Sequence, residues 1–168
     1  MLTKISGVKI LTKNNYSIEV LDVKDFEKCQ NIWDLKNDPK TAQNFYNQIK
    51  EGSRKTFIYK NSNGEFVAEI SLVFKYPIHE LTIKNQRVFL SHLTVKPEFR
   101  GKGIGTLLCN YIFDYCKKLN YSEISLEVLI NNYHAIRLYH RLGFNKLIAV
   151  DEDEDGKYLG LLKNLNQK

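Results

Sequence analysis

The chain has few cysteines, no long apolar run and no concentrated block of positive charge. Its three cysteines, Cys29, Cys109 and Cys116, form no Cys-x-x-Cys pair and leave one over. That argues against a disulfide framework and against a structural zinc site, and it suits a reducing compartment. No run of about 18 apolar residues is present to span a bilayer, and the first stretch, MLTKISGVKILTKNNYS, has no apolar signal-peptide segment. The expectation is a soluble, cytoplasmic protein with no membrane partner. A net charge of +6 raises the question of nucleic acid, but the lysines are scattered and no basic run has interleaved aromatics, so no nucleic-acid partner is expected. A smaller anion, such as a phosphorylated cofactor, needs less. His134 and His140 stand six apart, not at the i, i+4 spacing of a helical metal pair, and no metal site is expected. Repeats and low-complexity stretches are absent apart from the acidic DEDEDG at Asp151 to Gly156.

What is there suits one domain over residues 1–168. Apolar residues at 43% and aromatics at 12% supply a core of ordinary globular composition. YSIEVLDV from Tyr16 predicts a first strand. DFEKCQNIWDLKND and PKTAQNFYNQIKEG carry helical spacing, with Asp25 and Pro39 as start signals. TFIYKNSNGEFVAEISLVF predicts a hairpin turning at Asn63-Gly64. RVFLSHLTV is a fourth strand, and Gly103 to Leu119 has the apolar spacing of a helix. EISLEVLI is a fifth strand, NYHAIRLYHRL a helix closed by Gly143, and FNKLIAV and KYLGLLKNL are two strands around the acidic turn. The sum is α/β, a mixed sheet of about seven strands with about four helices.

VKPEFRGKGIGTLL, from Val95 to Leu108, places three glycines at alternate positions before a helix. A helix N-terminus preceded by bare backbone exposes unpaired N–H groups and the positive end of the dipole, which favour a phosphate. Gly101, Gly103 and Gly105 let the chain turn freely and an anion approach the amides, while Arg100 and Lys102 add charge. The plain alternative is a flexible loop with a glycine at a close helix approach. Neither GxGxxG nor GxxxxGK[ST] is spelled here, so the dinucleotide and Walker loops are excluded.

LTVKPEFRGKGIGTLL does resemble the acetyl-CoA-binding motif of the GNAT superfamily of N-acetyltransferases, Arg/Gln-x-x-Gly-x-Gly/Ala, with Arg100, Gly103 and Gly105 at its fixed positions. SLEVLINNYHAIRLYHRLGF resembles the family's later signature of Asn-x-x-Ala, then Tyr, then Gly-Phe. Together the motifs cover about 60 residues, Val88 to Leu147, whereas residues 1–87 carry none. The resemblance implies a mostly antiparallel mixed sheet and coenzyme A held by its pyrophosphate on the backbone of Arg100, Gly101, Lys102, Gly103, Ile104, Gly105 and Thr106. It also implies that the fourth strand near Leu93, Thr94 and Val95 splays from the fifth, leaving a notch for the pantetheine arm and free N–H groups for the thioester carbonyl. Asn132 matches a position that hydrogen-bonds the cofactor, and it also reads as a helix N-cap.

Transfer of an acetyl group to an amine requires a proton to leave the acceptor and one to reach the departing sulfur. Tyr139 matches the family's general-acid position, seven residues after Asn132 and four before Gly143. By spacing alone it belongs to an apolar stripe with Ala135, Leu138 and Leu142. Two residues are candidates for the base. Glu127, flanked by Leu126 and Val128, precedes Tyr139 by twelve residues, similar to the glutamate and tyrosine of ribosomal-protein N-terminal acetyltransferases. The other is His92 on the fourth strand, where Phe89 takes the place of a glutamate that many relatives carry. Cys109 and Cys116 read as buried hydrophobes, so direct transfer is expected.

By the same resemblance Trp33, Phe45, Tyr46 and the loop Lys75 to Gln86 line the acceptor side. The acceptor is an amine, and the acidic DEDEDG suggests a cationic one: a polyamine, an aminoglycoside or a lysine-rich peptide. A monomer or a homodimer is expected, and a non-catalytic acyl-CoA-binding module is the rival reading.

Overall fold

A computed structural model describes residues 10–11, 16–78 and 80–166. Most of the N-terminal stretch MLTKISGVKILTKNNYS, residues 1–9 and 12–15, on which the signal-peptide expectation rests, lies outside them, as does residue 79. The chain forms two compact units, Met1–Ser71 with His92–Gly105, and Leu72–Ser91 with Thr106–Lys168. Strands β4 (Phe66–Val73) and β5 (Arg87–Val95) run through both.

In the first unit β1 (Ile10–Leu11), β2 (Ser17–Val20) and β3 (Arg54–Lys60) form an antiparallel run beside β4 and the second half of β5. β1 is a two-residue edge strand that the sequence pattern does not mark. Helix α1 (Pro39–Glu51) starts as expected, with proline in its first turn and Asp38 Oδ1 accepting from the Thr41 N–H at 3.0 Å. It ends at Gly52, whose φ of +79° is the left-handed stop that glycine adopts most readily. Its Ala42, Phe45, Tyr46 and Ile49 recur at helical spacing and pack on Leu21, Phe26, Cys29, Ile32, Ile58 and Phe66.

The first expected helix is corrected. Val23–Asn31 is a nine-residue 3-10 helix, and its cap is Asp22 rather than Asp25, with Asp22 Oδ1 accepting from the Lys24 N–H at 3.1 Å. The period decides the difference: Phe26, Cys29 and Ile32 recur every three residues, which lines one face of a three-residue turn. Downstream, Asp34 Oδ1 accepts from the N–H groups of Lys36 and Asn37, and Gln30 Oε1 accepts from Leu35, so side chains take donors that a continuing helix needs. The hairpin forms as expected, with Asn63-Gly64 in the connection between β3 and β4. Asn61 Oδ1 accepts from the N–H groups of Asn63 and Glu65, which ends strand pairing early and leaves a loop of Asn61 to Glu65 with Gly64 at φ +77°.

In the second unit the first half of β5 pairs in parallel with β6 (Glu123–Leu129), Arg87–Leu90 against Glu123–Leu126. β8 (Gly156–Asn164) lies antiparallel to β6, and β7 (Lys146–Asp153) antiparallel to β8. The strand order is β1-β2-β3-β4-β5-β6-β8-β7: seven main strands and the small edge strand, mixed and mostly antiparallel. Parallel neighbours need a crossover, which α2 (Ile104–Lys118) provides. Ile104, Leu108, Ile112, Tyr115 and Cys116 are its buried stripe. Helix α3 (Tyr133–Arg141) begins where Asn132 Oδ1 accepts from the Ala135 N–H at 3.2 Å, and Gly143 follows its end at φ +92°. The acidic segment is only partly a turn. Asp151, Glu152 and Asp153 belong to β7, with Asp151 opposite Tyr158 and Glu152 opposite Lys157, and only Glu154 and Asp155 make the bend. The ladder accommodates these carboxylates because the strand is exposed along that length.

Candidate active site

After β5 the chain makes a short 3-10 turn, Pro97–Phe99, and reaches Arg100, whose Nε donates to the Val95 carbonyl at 2.9 Å. That bond folds the guanidinium back on the strand end and holds the start of the loop. Gly101 and Gly103 follow at φ +73° and +77°, a left-handed conformation that costs other residues roughly 1 kcal/mol or more. A Cβ at either would meet nothing within 4 Å, so backbone geometry rather than crowding calls for glycine. Lys102 between them is exposed, its Nζ 5.1 Å from the Phe99 ring centre. Helix α2 starts at Ile104, whose side chain is buried while the backbone N–H groups of Ile104, Gly105 and Thr106 have no acceptor inside the helix. Open space, positive-φ glycines and first-turn amides together fit a phosphate.

In the same unit β5 changes character at His92. Val88, Phe89 and Leu90 are buried, whereas Ser91 to Val95 are half-buried, and His92 has φ +56°. A left-handed residue inside a strand is the local signature of a bulge, which re-aims a side chain. The His92 ring stands edge-on to Trp33 and Phe45, with centres 4.8 and 5.2 Å away. Its Nδ1 is 2.5 Å from Glu69 Oε1. The Glu69 side chain is 3% exposed and the His92 side chain 25%, so the imidazole leads from a buried carboxylate toward the surface. Burial, with the Glu69 carboxylate beside it, pushes the Cys29 thiol's pKa far up. Of the residues expected to line the acceptor side, Trp33 and Phe45 flank His92, and Tyr46 packs edge-on to Phe26. The indole Nε1 of Trp33 is buried without a partner among the described residues.

In the second unit Glu127 lies on β6 between buried Leu126 and Val128, as alternation requires, and is itself half-buried. Burial holds its carboxyl above the usual range, a hydrogen bond from Tyr76 pulls it back, and Asp151 and Asp153 add to the rise. Tyr139 on α3 is 8% exposed, edge-on to Phe144 at 5.7 Å, and burial pushes its phenol up, which keeps it protonated at neutral pH. Asn132 is exposed, its side chain engaged as the α3 cap. Cys109 and Cys116 are buried, their thiols pushed up to about 12.

Thus His92, Leu93, Thr94, Val95 and Arg100 to Gly105 share one unit, and Thr106, Glu127, Asn132 and Tyr139 the other. Two partners were not singled out by sequence reasoning. Glu69 is the one ionisable residue in the apolar run FVAEISLV, a signal in itself, because a carboxylate buried in a strand requires a partner. Tyr76 stacks on Phe89 at 4.3 Å and carries no comparable signal.

A mixed sheet that includes the parallel pair β5–β6, with a glycine loop leading into the helix between those strands, defines an α/β protein. The chain belongs to the acetyltransferase (GNAT) family, whose model matches residues 19–144. It is 31% identical over 94 residues to the probable N-acetyltransferase family 8 member 5 of Mus musculus, covering 52% of this chain and 41% of that one. Over 70 residues it is 34% identical to the spermine/spermidine N(1)-acetyltransferase of Bacillus subtilis (strain 168), covering 41% of this chain and 46% of that one. The matches take in less than half the length of these relatives. Among solved structures, the ribosomal-protein alanine N-acetyltransferase from Escherichia coli superposes with a TM-score of 0.73 at 21% identity, covering 91% of this chain and 96% of that one. A spermidine/spermine N-acetyltransferase from Vibrio cholerae does so with 0.67 at 17%, covering 89% and 92%. These two likenesses show the fold. No described helix is long and apolar enough to cross a membrane.

Proposed function

We propose that the chain acts as a single catalytic domain, an N-acetyltransferase that moves the acetyl group of acetyl-CoA directly to a cationic amine. The observation that carries this is the loop Arg100 to Gly105, with two positive-φ glycines leading into the first turn of α2. Acetyl-CoA supplies an activated acyl group as a thioester. The backbone amides of Gly101 to Thr106 hold its pyrophosphate, with Arg100 and Lys102 adding positive charge, and the Asn132 side chain adds a further polar contact. Backbone N–H groups of Leu93 to Val95 are the donors for the thioester carbonyl.

Tyr139 is the general acid. Its phenol is protonated at neutral pH, and its Oη donates a hydrogen bond and a proton to the departing sulfur. His92 is the base: its ring is partly accessible, and Nε2 takes the proton of the acceptor ammonium through water. Glu127, with Asp151 and Asp153 bearing on it, gives the acceptor side a negative potential that attracts a cation. The polyamine specificity in the name of the Bacillus subtilis relative supports this choice of acceptor. The direct route agrees with thiols that burial keeps protonated. The test is thiol release from acetyl-CoA across polyamines, aminoglycosides, lysine-rich peptides and neutral-tailed amines. Release with polyamines supports the reading, and acetyl-CoA binding without release on any amine favours the non-catalytic module instead.

A further inference from the structure

The strand β4 carries one ionisable side chain, and it is buried. Removing a carboxylate from water costs several kcal/mol unless hydrogen bonds and opposite charge offset the loss. Glu69 has two partners in reach, His92 Nδ1 at 2.5 Å and the Cys29 thiol. An ionised carboxylate only accepts hydrogen bonds, so both partners must donate. Cys29 does so as the protonated thiol its burial favours. A neutral His92 can do so only with its proton on Nδ1, which leaves the lone pair on Nε2.

The backbone supports the same geometry. His92 adopts φ +56°, costly for a residue with a side chain, and such outliers persist where surrounding structure holds them. Glu69 holds one edge of the ring, and Trp33 and Phe45 pack against it in T-shaped contacts. The ionisable groups around His92 come from separate elements: Glu69 on β4 and Asp38 at the start of α1. Cys29 on the 3-10 helix completes the set as a thiol.

We propose that Glu69 is the positioning residue of the acetyl-transfer reaction: it fixes the Nδ1–H tautomer of His92, aims Nε2 at the acceptor, and stabilises the imidazolium that forms there. This rests on the reading of the chain as an acetyltransferase with His92 as base. In the step, a proton leaves the acceptor ammonium, passes through water and bonds to Nε2. The ring becomes a cation with both nitrogens protonated, Nδ1–H remains on the Glu69 carboxylate, and the proton on Nε2 then goes to solvent. No proton moves onto Glu69.

The experiment combines kinetics with nitrogen-15 NMR of histidine-labelled full-length protein, using Glu69→Gln, Glu69→Asp, His92→Gln and the double variant Glu69→Gln/His92→Gln. His92→Gln identifies the His92 signals by their loss. Wild-type protein is expected to show His92 protonated at Nδ1 when neutral. Glu69→Gln is expected to lower kcat by about tenfold to a hundredfold, with KM for acetyl-CoA within about twofold, the scale on which a group that orients a catalytic ligand acts. Glu69→Asp, which keeps the charge, is expected to recover part of kcat. The double variant should be no slower than His92→Gln alone, because residues acting as a unit are not additive. Thermal unfolding of each variant separates a loss of fold from a loss of position.

Four results overturn the proposal. They are full kcat in folded Glu69→Gln, additive losses in the double variant, a neutral His92 protonated at Nε2, and failure of both Glu69 variants to fold while wild-type His92 lacks the Nδ1 proton. If the wild-type protein transfers acetyl to no amine, the acetyltransferase reading falls and the proposal with it. If it transfers acetyl and Glu69→Gln is unaffected, only the proposal falls.

Discussion

Tyr76 Oη donates to the Glu127 carboxylate across 3.3 Å, joining the loop after β4 to the middle of β6. Burial raises the Glu127 pKa, and this bond opposes the rise without cancelling it. A carboxyl whose folded pKa exceeds its unfolded one favours the fold while protonated. That contribution is complete below the ordinary glutamate range and is lost as pH rises through the raised folded value. Glu127→Gln stays neutral throughout. Urea unfolding should therefore find the variant more stable than wild type at pH 7 and equal to it near pH 4. A variant less stable at pH 7 would show that Tyr76 outweighs burial.

The glycine loop makes two separable predictions. Gly103→Ala meets open space but must hold φ +77°, so it should cost roughly 1 kcal/mol of stability by denaturant unfolding. Gly103→Glu adds a negative charge at a proposed phosphate site and should weaken coenzyme A binding in calorimetry by well over tenfold. Equal affinities for folded Gly103→Glu and wild type would move the phosphates elsewhere.

The acidic strand end should act on the acceptor through its field. Replacing Asp151, Glu152, Asp153, Glu154 and Asp155 by their amides is expected to lower kcat/KM for a polyamine more than for a neutral-tailed amine at low salt. The difference should shrink near 0.1 M, where the Debye length is about 10 Å. Glu152 is already partly committed to Lys157 at 3.8 Å, so Asp151 and Asp153, which bear on Glu127, should account for most of the effect. A matching loss for both amines would remove the segment from acceptor choice.

All three thiols are buried, and burial raises their pKa values, those of Cys109 and Cys116 to about 12. Native protein at pH 8 should resist alkylation by iodoacetamide over hours, and denatured protein should label at three sites. Incubation with acetyl-CoA in the absence of an amine should leave no acetylated cysteine by mass spectrometry. A thioester on Cys109 or Cys116 would contradict direct transfer.

Where the pattern in the sequence is local, it translates into structure. Ala42, Phe45, Tyr46 and Ile49 announce α1, and Asn132 and Gly143 bracket α3, because spacing and caps act within one or two turns. The phosphate-loop candidate is legible for the same reason, since Arg100 to Gly105 is one short segment. The 3-10 helix is not, because Phe26, Cys29 and Ile32 at intervals of three also fit an α-helical face until Gln30 and Asp34 take the backbone donors. Least legible are the polar pairs. Glu69 meets His92 across 23 positions and Tyr76 meets Glu127 across 51, and only strand pairing and loop placement bring them together. The positive φ of His92 is likewise a product of tertiary structure, since it is uncommon for any residue with a side chain and more so within a strand.

Direct acetyl transfer assisted by Tyr139 is tested most closely by the single-turnover rate of thiol release. Wild type and Tyr139→Phe would be saturated with acetyl-CoA and mixed rapidly with a polyamine. Phe keeps the ring against Phe144 and removes only the buried hydroxyl. Tyr139→Phe is expected to release thiol about 10²-fold more slowly, with coenzyme A affinity unchanged within about twofold. Equal single-turnover rates for the two proteins would contradict it and leave Tyr139 as a packing residue.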